Sequence, residues 1–278
     1  MVKVNIQKEL VSVIMATFNT GKKLADSIDS ILNQTYSNLE LVITDDCSDD
    51  KVTLDILRRY IQEDERVDVL YLESNCGPGY ARDKSIERAR GRYIAFCDSD
   101  DRWFAGKLEQ QIRFMQARDC ALSYTSYVMC DEAGCETGIT IAPDCITFSQ
   151  LKRDNKIGSS TVVYDTKLLG RKYFMAHIRK RQDWGMFLTI MRDYGKPAYG
   201  IREPLAYYLK SRHSISHKKF GLVKYNIQIY REVLGYSKLK AVCYFLFIFM
   251  PSYIAKIVKR HFDSIAYMRK KGNKANKS

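Results

Sequence analysis

What this chain lacks narrows what it can be. Its eight cysteines, Cys47, Cys76, Cys97, Cys120, Cys130, Cys135, Cys145 and Cys243, form no C-x-x-C pair and have no histidines at zinc spacing; they are read as reduced, in the cytosol. Residues 1–10 alternate in charge and carry no long apolar segment, so no signal peptide is expected. The longest apolar run, 241–250, is interrupted by Pro251, short of the ~20 residues of a spanning helix. The turn at 17–21 has no G-x-G-x-x-G, which disfavours a dinucleotide oxidoreductase because that glycine pattern lets backbone approach a pyrophosphate. No aromatic and basic stripe of a known nucleic-acid module appears, so no nucleic-acid partner is expected.

What is present is a chain of 278 residues, 46% hydrophobic, enough for one large or two small domains with a substantial core. The formal charge of +13, concentrated toward the C-terminal end, taken alone points to an anionic partner: nucleic acid, a phosphorylated metabolite or a membrane surface.

Residues 10–17 are an apolar, β-branched run followed by a polar loop and by Leu24, Ile28, Ile31 and Leu32 at helical spacing. The pattern repeats. Residues 39–44 end in Asp45-Asp46-Cys47-Ser48-Asp49-Asp50 before a helix with Leu54, Leu57, Tyr60 and Ile61, and 67–72 lead into Asn75-Cys76-Gly77-Pro78-Gly79 and a basic helix. The fourth strand, Tyr93-Ile94-Ala95-Phe96-Cys97, stops abruptly in Asp98-Ser99-Asp100-Asp101. Strands alternating with helices imply a mostly parallel sheet. Every polar cluster falls at the carboxyl end of a strand, where an open α/β sheet forms its ligand crevice. Any single cluster reads as ordinary turn residues; four in register point to a site. Carboxylates one residue apart repel, and water or a hard divalent cation must balance them.

Further along, 107–117 read as a helix, 121–129 as a strand, Asp131-Glu132-Ala133-Gly134 as a hairpin turn and 148–155 as a short helix. A basic segment, Ile178-Arg179-Lys180-Arg181-Gln182-Asp183, opens a helix, so Asp183 is either a capping carboxylate or a base facing the metal candidate. Two strand-like pieces, 198–201 and 205–209, precede a polar basic stretch at 210–219 able to fold over a ligand. The region from 241, with Lys256, Lys259 and Arg260 among apolar residues, reads as an interfacial helix beside a basic tail, or as a helix packed on the domain.

Together Val11-Ser12-Val13-Ile14-Met15-Ala16-Thr17-Phe18-Asn19, Gln34-Thr35-Tyr36, Asp45-Asp46-Cys47-Ser48-Asp49, Ala81-Arg82, Gly91-Arg92-Tyr93-Ile94-Ala95-Phe96, Asp98-Ser99-Asp100-Asp101 and Gln182-Asp183 resemble family 2 glycosyltransferases of the GT-A fold, in unbroken order over roughly 10–216. Residues 157–163, 179–184 and 212–219 further resemble the bacterial branch that builds O-antigen, capsule or teichuronic acid type polysaccharides.

The resemblance implies an α/β GT-A domain at 1–220, with a nucleotide-sugar half at 1–101 and an acceptor half at 102–220, followed by a helical, basic, membrane-associated extension at 221–278. It implies inverting transfer from a UDP-sugar to a lipid-linked glycan acceptor, by a protein held peripherally at the inner face of the cytoplasmic membrane. Asp46 matches the carboxylate that reads the nucleobase, Ala16 and Phe18 line the nucleotide, Asp98-Ser99-Asp100 matches the D-x-D motif, and Asp98 and Ser99 lie on the nucleotide side. Asp100 matches the ligand of manganese or magnesium, and Asp183 the general base. Asp101, Trp103, Arg181 and Gln182 match positions near donor sugar and acceptor. From charge alone, Arg82 and the 210–219 loop are assigned to phosphate.

Three positions depart from the pattern: Asp83 for the usual Asn, Ala105 for a proline, and His217-Lys218-Lys219 for Ser-Asn-Lys. None removes the metal or base candidate. A D-x-D phosphatase is disfavoured because its acids would follow the first strand. A catalytically inactive nucleotide-sugar-binding or membrane scaffold of the same fold is the remaining alternative, opposed by the intact Asp100 and Asp183.

Overall fold

The computed structural model describes residues 9–175, 177–210 and 219–275. The chain opens with β1 (Val11–Thr17), α1 (Lys23–Leu32), β2 (Leu39–Asp45), α2 (Lys51–Glu63), β3 (Val67–Tyr71), α3 (Pro78–Arg88) and β4 (Tyr93–Phe96). These strands lie parallel in the order β3-β2-β1-β4, as their alternation with helices requires. The helices have local causes. Asp50 accepts from the Thr53 amide at 2.9 Å to cap α2, and Pro78 sits at the first positions of α3, where no intrahelical donor is lost.

The second half continues with β5 (Arg102–Trp103), α4 (Lys107–Arg118), β6 (Leu122–Cys130), β7 (Glu136–Thr140), β8 (Cys145–Ile146), α5 (Phe148–Arg153), β9 (Val163–Asp165), α6 (Thr166–Leu169), α7 (Gln182–Tyr194) and β10 (Ala198–Leu209). It extends the same sheet as β4-β9-β6-β10-β5. β9 runs antiparallel to both β4 and β6, so the sheet is mixed. The hairpin turn at 131–134 joins β6 to β7, with Gly134 at φ +81° donating its amide to the Asp131 carbonyl. The two pieces expected at 198–201 and 205–209 are one strand, whose register against β6 shifts between Ile201 and Ala206. Pro204 lacks the amide needed for a regular ladder there, and the local break in pattern is what divided the run in sequence.

Both sheet faces are covered. Alternation along β1 and β4 sends Val13, Met15, Tyr93 and Ala95 into one core and Ile14, Ile94 and Phe96 into the other. The second core continues without a break through Trp184 and Phe187 of α7 to Ile229, Tyr230, Ala241, Phe245 and Phe249 in the C-terminal region. Gly91 is required where the chain enters β4, because a Cβ there would stand 2.6 Å from the Ser12 amide nitrogen.

The C-terminal region holds α8 (Val223–Gln228), α9 (Lys238–Tyr244) and α10 (Met250–Ala275). α9 and α10 are joined by a π-helical turn at Phe245–Phe249, and the helical run Lys238–Asn273 crosses Pro251 without ending, against the interruption expected from sequence. The wider π turn is placed directly before the proline, where its missing amide and ring would otherwise disturb the preceding turn. Packing on the domain, one of the two expectations for this segment, is met on one face, while another face leaves apolar side chains exposed. Ala241, Phe245 and Phe249 are buried, the Ser264 hydroxyl bonds the Ile139 backbone of β7 and the Tyr267 hydroxyl donates to Glu136 at 2.8 Å. Phe247, Ile254, Val258 and Phe262, spaced seven, four and four apart, are exposed on one stripe.

Candidate functional site

The strand ends converge as the polar clusters suggested. Asn19, at φ 49°, ties the loop after β1 to the loop after β2: its backbone amide donates to the Ser48 hydroxyl, and its side-chain oxygen accepts from the Asp49 and Asp50 amides at 3.0 Å each. Asp46 is buried and accepts from the amides of Cys76 and Gly77 at 2.7 and 2.8 Å, joining the β2 and β3 loops. Each carboxylate oxygen retains a second lone pair. The Thr20 and Ser99 hydroxyls meet at 2.8 Å, and the Ser27 hydroxyl donates to the Ser99 carbonyl at 2.8 Å, joining the β1 and β4 loops. Ala16 is the one position of β1 that is not buried, and Phe18 is exposed beside it.

Arg82 on α3 pairs with Asp98 at 2.5 Å. Asp98, Asp183 and Asp100 all act electrostatically on its guanidinium and hold it charged against the cost of burial. These four residues therefore share one polar centre. Burial and the neighbouring Asp98 raise the Asp100 carboxyl to about 6. Among the described residues no three His, Cys, Asp or Glu side chains converge as a metal cage. The paired carboxylates of Asp98 and Asp100 instead suit a small hard cation that takes one or two protein oxygens and completes its shell with water and phosphate.

Asp183 enters from the other side, in the first turn of α7. Burial raises its carboxyl, opposed by Arg181, the Trp184 amide and Arg82. Gly79 lies against it: a Cβ there would stand 2.9 Å from Cγ of Gln182, so the Gln182 side chain packs directly on the start of α3. The Gln182 side-chain amide donates to the Arg179 carbonyl at 2.9 Å. Arg181 adopts a left-handed φ of 68° before the helix, and its Nε is buried without a partner.

Asp101 and Trp103, matched from sequence to the sugar and acceptor, lie beneath the surface. Asp101 is fully buried and accepts from the Ser160 hydroxyl at 2.5 Å and from the Leu209 amide at 2.9 Å. Trp103 is buried, donates its indole N–H to the Ser160 carbonyl at 2.8 Å and stacks on the Lys107 ammonium at 3.9 Å. Both support the loop above them. Ser160, which also accepts from the Asp98 amide at 3.1 Å, is the residue that motif reading missed; its only sequence signal was the small-residue run at 157–163. The basic stretch at 211–218 lies outside the described residues. A shallow hollow of about 300 Å³ lined by Leu54, Arg58, Ile61, Gln62 and Tyr71 sits between α2 and β3 and contains none of the strand-end carboxylates.

With this geometry in place, the comparison with known proteins is decisive at the level of family. A sequence model described as glycosyl transferase family 2 matches residues 12–178. The chain belongs to this family. It is 40% identical over 240 residues to TuaG of Bacillus subtilis (strain 168), a glycosyltransferase named for teichuronic acid biosynthesis, with 86% of this chain and 94% of that one covered. It is 33% identical over 252 residues to WfgD of Escherichia coli, named a UDP-Glc:alpha-D-GlcNAc-diphosphoundecaprenol beta-1,3-glucosyltransferase, covering 91% and 95% of the two chains. Among solved structures, S. aureus TarS 1-349 in complex with UDP-GlcNAc superimposes with a TM-score of 0.68 at 20% identity over 88% of this chain and 72% of TarS. The mannosyltransferase PcManGT of Pyrobaculum calidifontis, in complex with GDP-Man and Mn2+, gives 0.61 at 15% identity over 96% and 80%. The fold is the GT-A fold, and the family 2 protein is a glycosyltransferase.

Proposed function

We propose that this family 2 enzyme transfers a sugar, with inversion, from a UDP-sugar to a hydroxyl of a glycan carried on polyprenyl diphosphate, in the synthesis of a bacterial surface polysaccharide. The observation that carries this reading is the ion pair of Arg82 with Asp98, with Asp100 from the same strand end and Asp183 from a helix far along the chain acting electrostatically on the same guanidinium. UDP-GlcNAc in the TarS complex supports the donor class, and the name of WfgD supports both donor and lipid-linked acceptor.

In this reading Ala16, Phe18 and Asp46 line the nucleotide, and Arg82 faces the diphosphate. A divalent cation, manganese or magnesium, bound by Asp100 with Asp98 beside it supplies charge stabilisation to the leaving diphosphate; the Mn2+ in PcManGT supports its class. Asp183 accepts the proton of the acceptor hydroxyl as that oxygen bonds to the anomeric carbon, while the bond from that carbon to the diphosphate oxygen breaks and UDP departs. One displacement inverts the centre without an enzyme nucleophile. Burial, by raising the carboxyl of Asp183, strengthens it as a proton acceptor. Asp101 and Trp103 hold the donor loop in shape, with Arg181 and Gln182 at the acceptor entrance.

The test is a donor screen, measuring UDP release from several UDP-sugars with Mn2+ and a sugar-diphosphate-alkyl acceptor. Turnover only with GDP- or dTDP-sugars would refute the uracil assignment of Asp46.

The exposed stripe on the C-terminal helix supports a peripheral position on the cytoplasmic membrane face. After residue 178 the chain carries 22 Lys and Arg against 5 Asp and Glu, which suits anionic headgroups. The helix is long and apolar enough to cross a membrane, but its other face is bonded to β7, so it lies along the domain and along the lipid surface. Phe247→Asp with Phe262→Asp is expected to move the protein from the membrane to the soluble fraction with unchanged thermal unfolding; unchanged partitioning would refute this placement.

A further inference from the structure

We infer that the C-terminal helix is a working part of the transfer centre: Lys256, acting through the turn at Asp154 and Asn155, positions the carboxylate of Asp183. The Lys256 ammonium donates to Asp154 Oδ1 and to the Asn155 backbone carbonyl, both at 2.7 Å. The Ile157 amide donates to Asn155 Oδ1 at 3.1 Å, which fixes the orientation of that side chain and turns its NH2 outward. This NH2 reaches Asp183 Oδ2 at 3.4 Å. Two hydrogen bonds through Asn155 thus join a helix with a lipid-suited face to the residue read as the base, and the inference rests on that reading of Asp183.

Stability alone does not explain the arrangement. Asp154 is buried, and its second oxygen has no partner. A buried ion pair left partly unsatisfied is no better for folding than an apolar pair of the same size. Lys256 nevertheless directs two donors at the one turn that touches Asp183. Arg181 and Arg260 also face Lys256, Arg181 and Lys156 face Asp154, and Arg181, Arg82 and Asp98 face Asp183.

The experiment uses the full chain with the donor and acceptor of the screen. Asn155→Ala and Lys256→Met are each expected to lower kcat about tenfold, the worth of one oriented hydrogen bond, with KM for the donor unchanged. The acid limb of the kcat profile should move to higher pH, because a carboxylate that loses a donor holds its proton more tightly. Lys256→Arg should retain activity. Combining Lys256→Met with Asp154→Asn removes the unpaired buried charge and should restore thermal stability but not kcat. Recovery of kcat in that double variant, or a wild-type kcat and pH profile in Asn155→Ala, would overturn the inference. Asp183→Ala separates the two levels. If it keeps transfer, the base reading and this inference both fall; if it is inactive while Asn155→Ala is unaffected, only the positioning role falls.

Discussion

On the proposed nucleotide side of the crevice the loops are bound to one another across neighbouring parallel strands: Asn19 to the 48–50 turn, Asp46 to Cys76 and Gly77, Thr20 to Ser99. On the proposed acceptor side the polar network is assembled from pieces remote in sequence. Ser160 holds Asp101, the Leu209 amide bonds the same carboxylate, Gln182 rests on Gly79, and Lys256 reaches Asp154. The contrast shows two ways of building a polar centre. One follows from strand order and tolerates independent turns, while the other exists only once the sheet has brought distant segments together. Even the Asp98-Ser99-Asp100-Asp101 cluster divides along this line, with Asp100 half-buried at the crevice and Asp101 turned into the buried network.

That division is most severely tested by Asp183→Ala. Transfer is expected to fall by about 10³, within the range of a lost general base, while metal-dependent UDP binding measured by calorimetry persists; full transfer would remove the acceptor side from the chemistry. Next in size, Asp100→Ala or chelation with EDTA should weaken UDP binding by roughly tenfold or more, with Mn2+ restoring only the chelated wild type. Equal UDP affinity before and after chelation would dismiss the cation. Asp101→Ala should do the reverse. Leaving the Ser160 hydroxyl and Leu209 amide unpaired in the interior costs about 3 kcal/mol of unfolding free energy, whereas Asp100→Ala changes stability by less than about 0.5 kcal/mol. Similar melting curves for the two variants would erase the distinction.

The smallest effect concerns Asp83, whose carboxylate accepts from the Met175 amide at 2.7 Å and so joins α3 to the segment leading to α7. Burial raises its carboxyl to about 6, against the opposing pull of that amide. Since the folded value lies above the unfolded one, its contribution is fully present below about pH 4 and is lost as pH rises through about 6. Asp83→Asn keeps the acceptor without the charge. It should add about 1 kcal/mol at pH 7.5 after allowance for solvent screening, and nothing at pH 4. A pH-independent difference in denaturant unfolding would contradict this.

Much of the nucleotide side was legible beforehand because its logic is local. Apolar runs of β period ending in Asp, Asn and Gly announce strands and the loops at their carboxyl ends, and parallel order follows from the intervening helices. The ordered motifs likewise identified the family and the GT-A fold. Less local features were not legible. Asp101 and Trp103 adjoin the acidic cluster in sequence, yet the direction of a side chain at a strand end depends on what packs beneath it, here Ser160 and Lys107. Pro251 reads as a helix break until the π turn before it is seen.

By itself, then, the sequence determined the alternation of strands and helices, the placement of polar clusters at one edge of the sheet and the membership of the family, since periodicity and turn chemistry act over a few residues. Only the tertiary structure decided which acids face the crevice, that Asp183 acts on the Arg82 guanidinium, and that the C-terminal helix reaches the turn beside Asp183. Those outcomes depend on burial and on contacts between segments up to about a hundred residues apart, which no local pattern encodes.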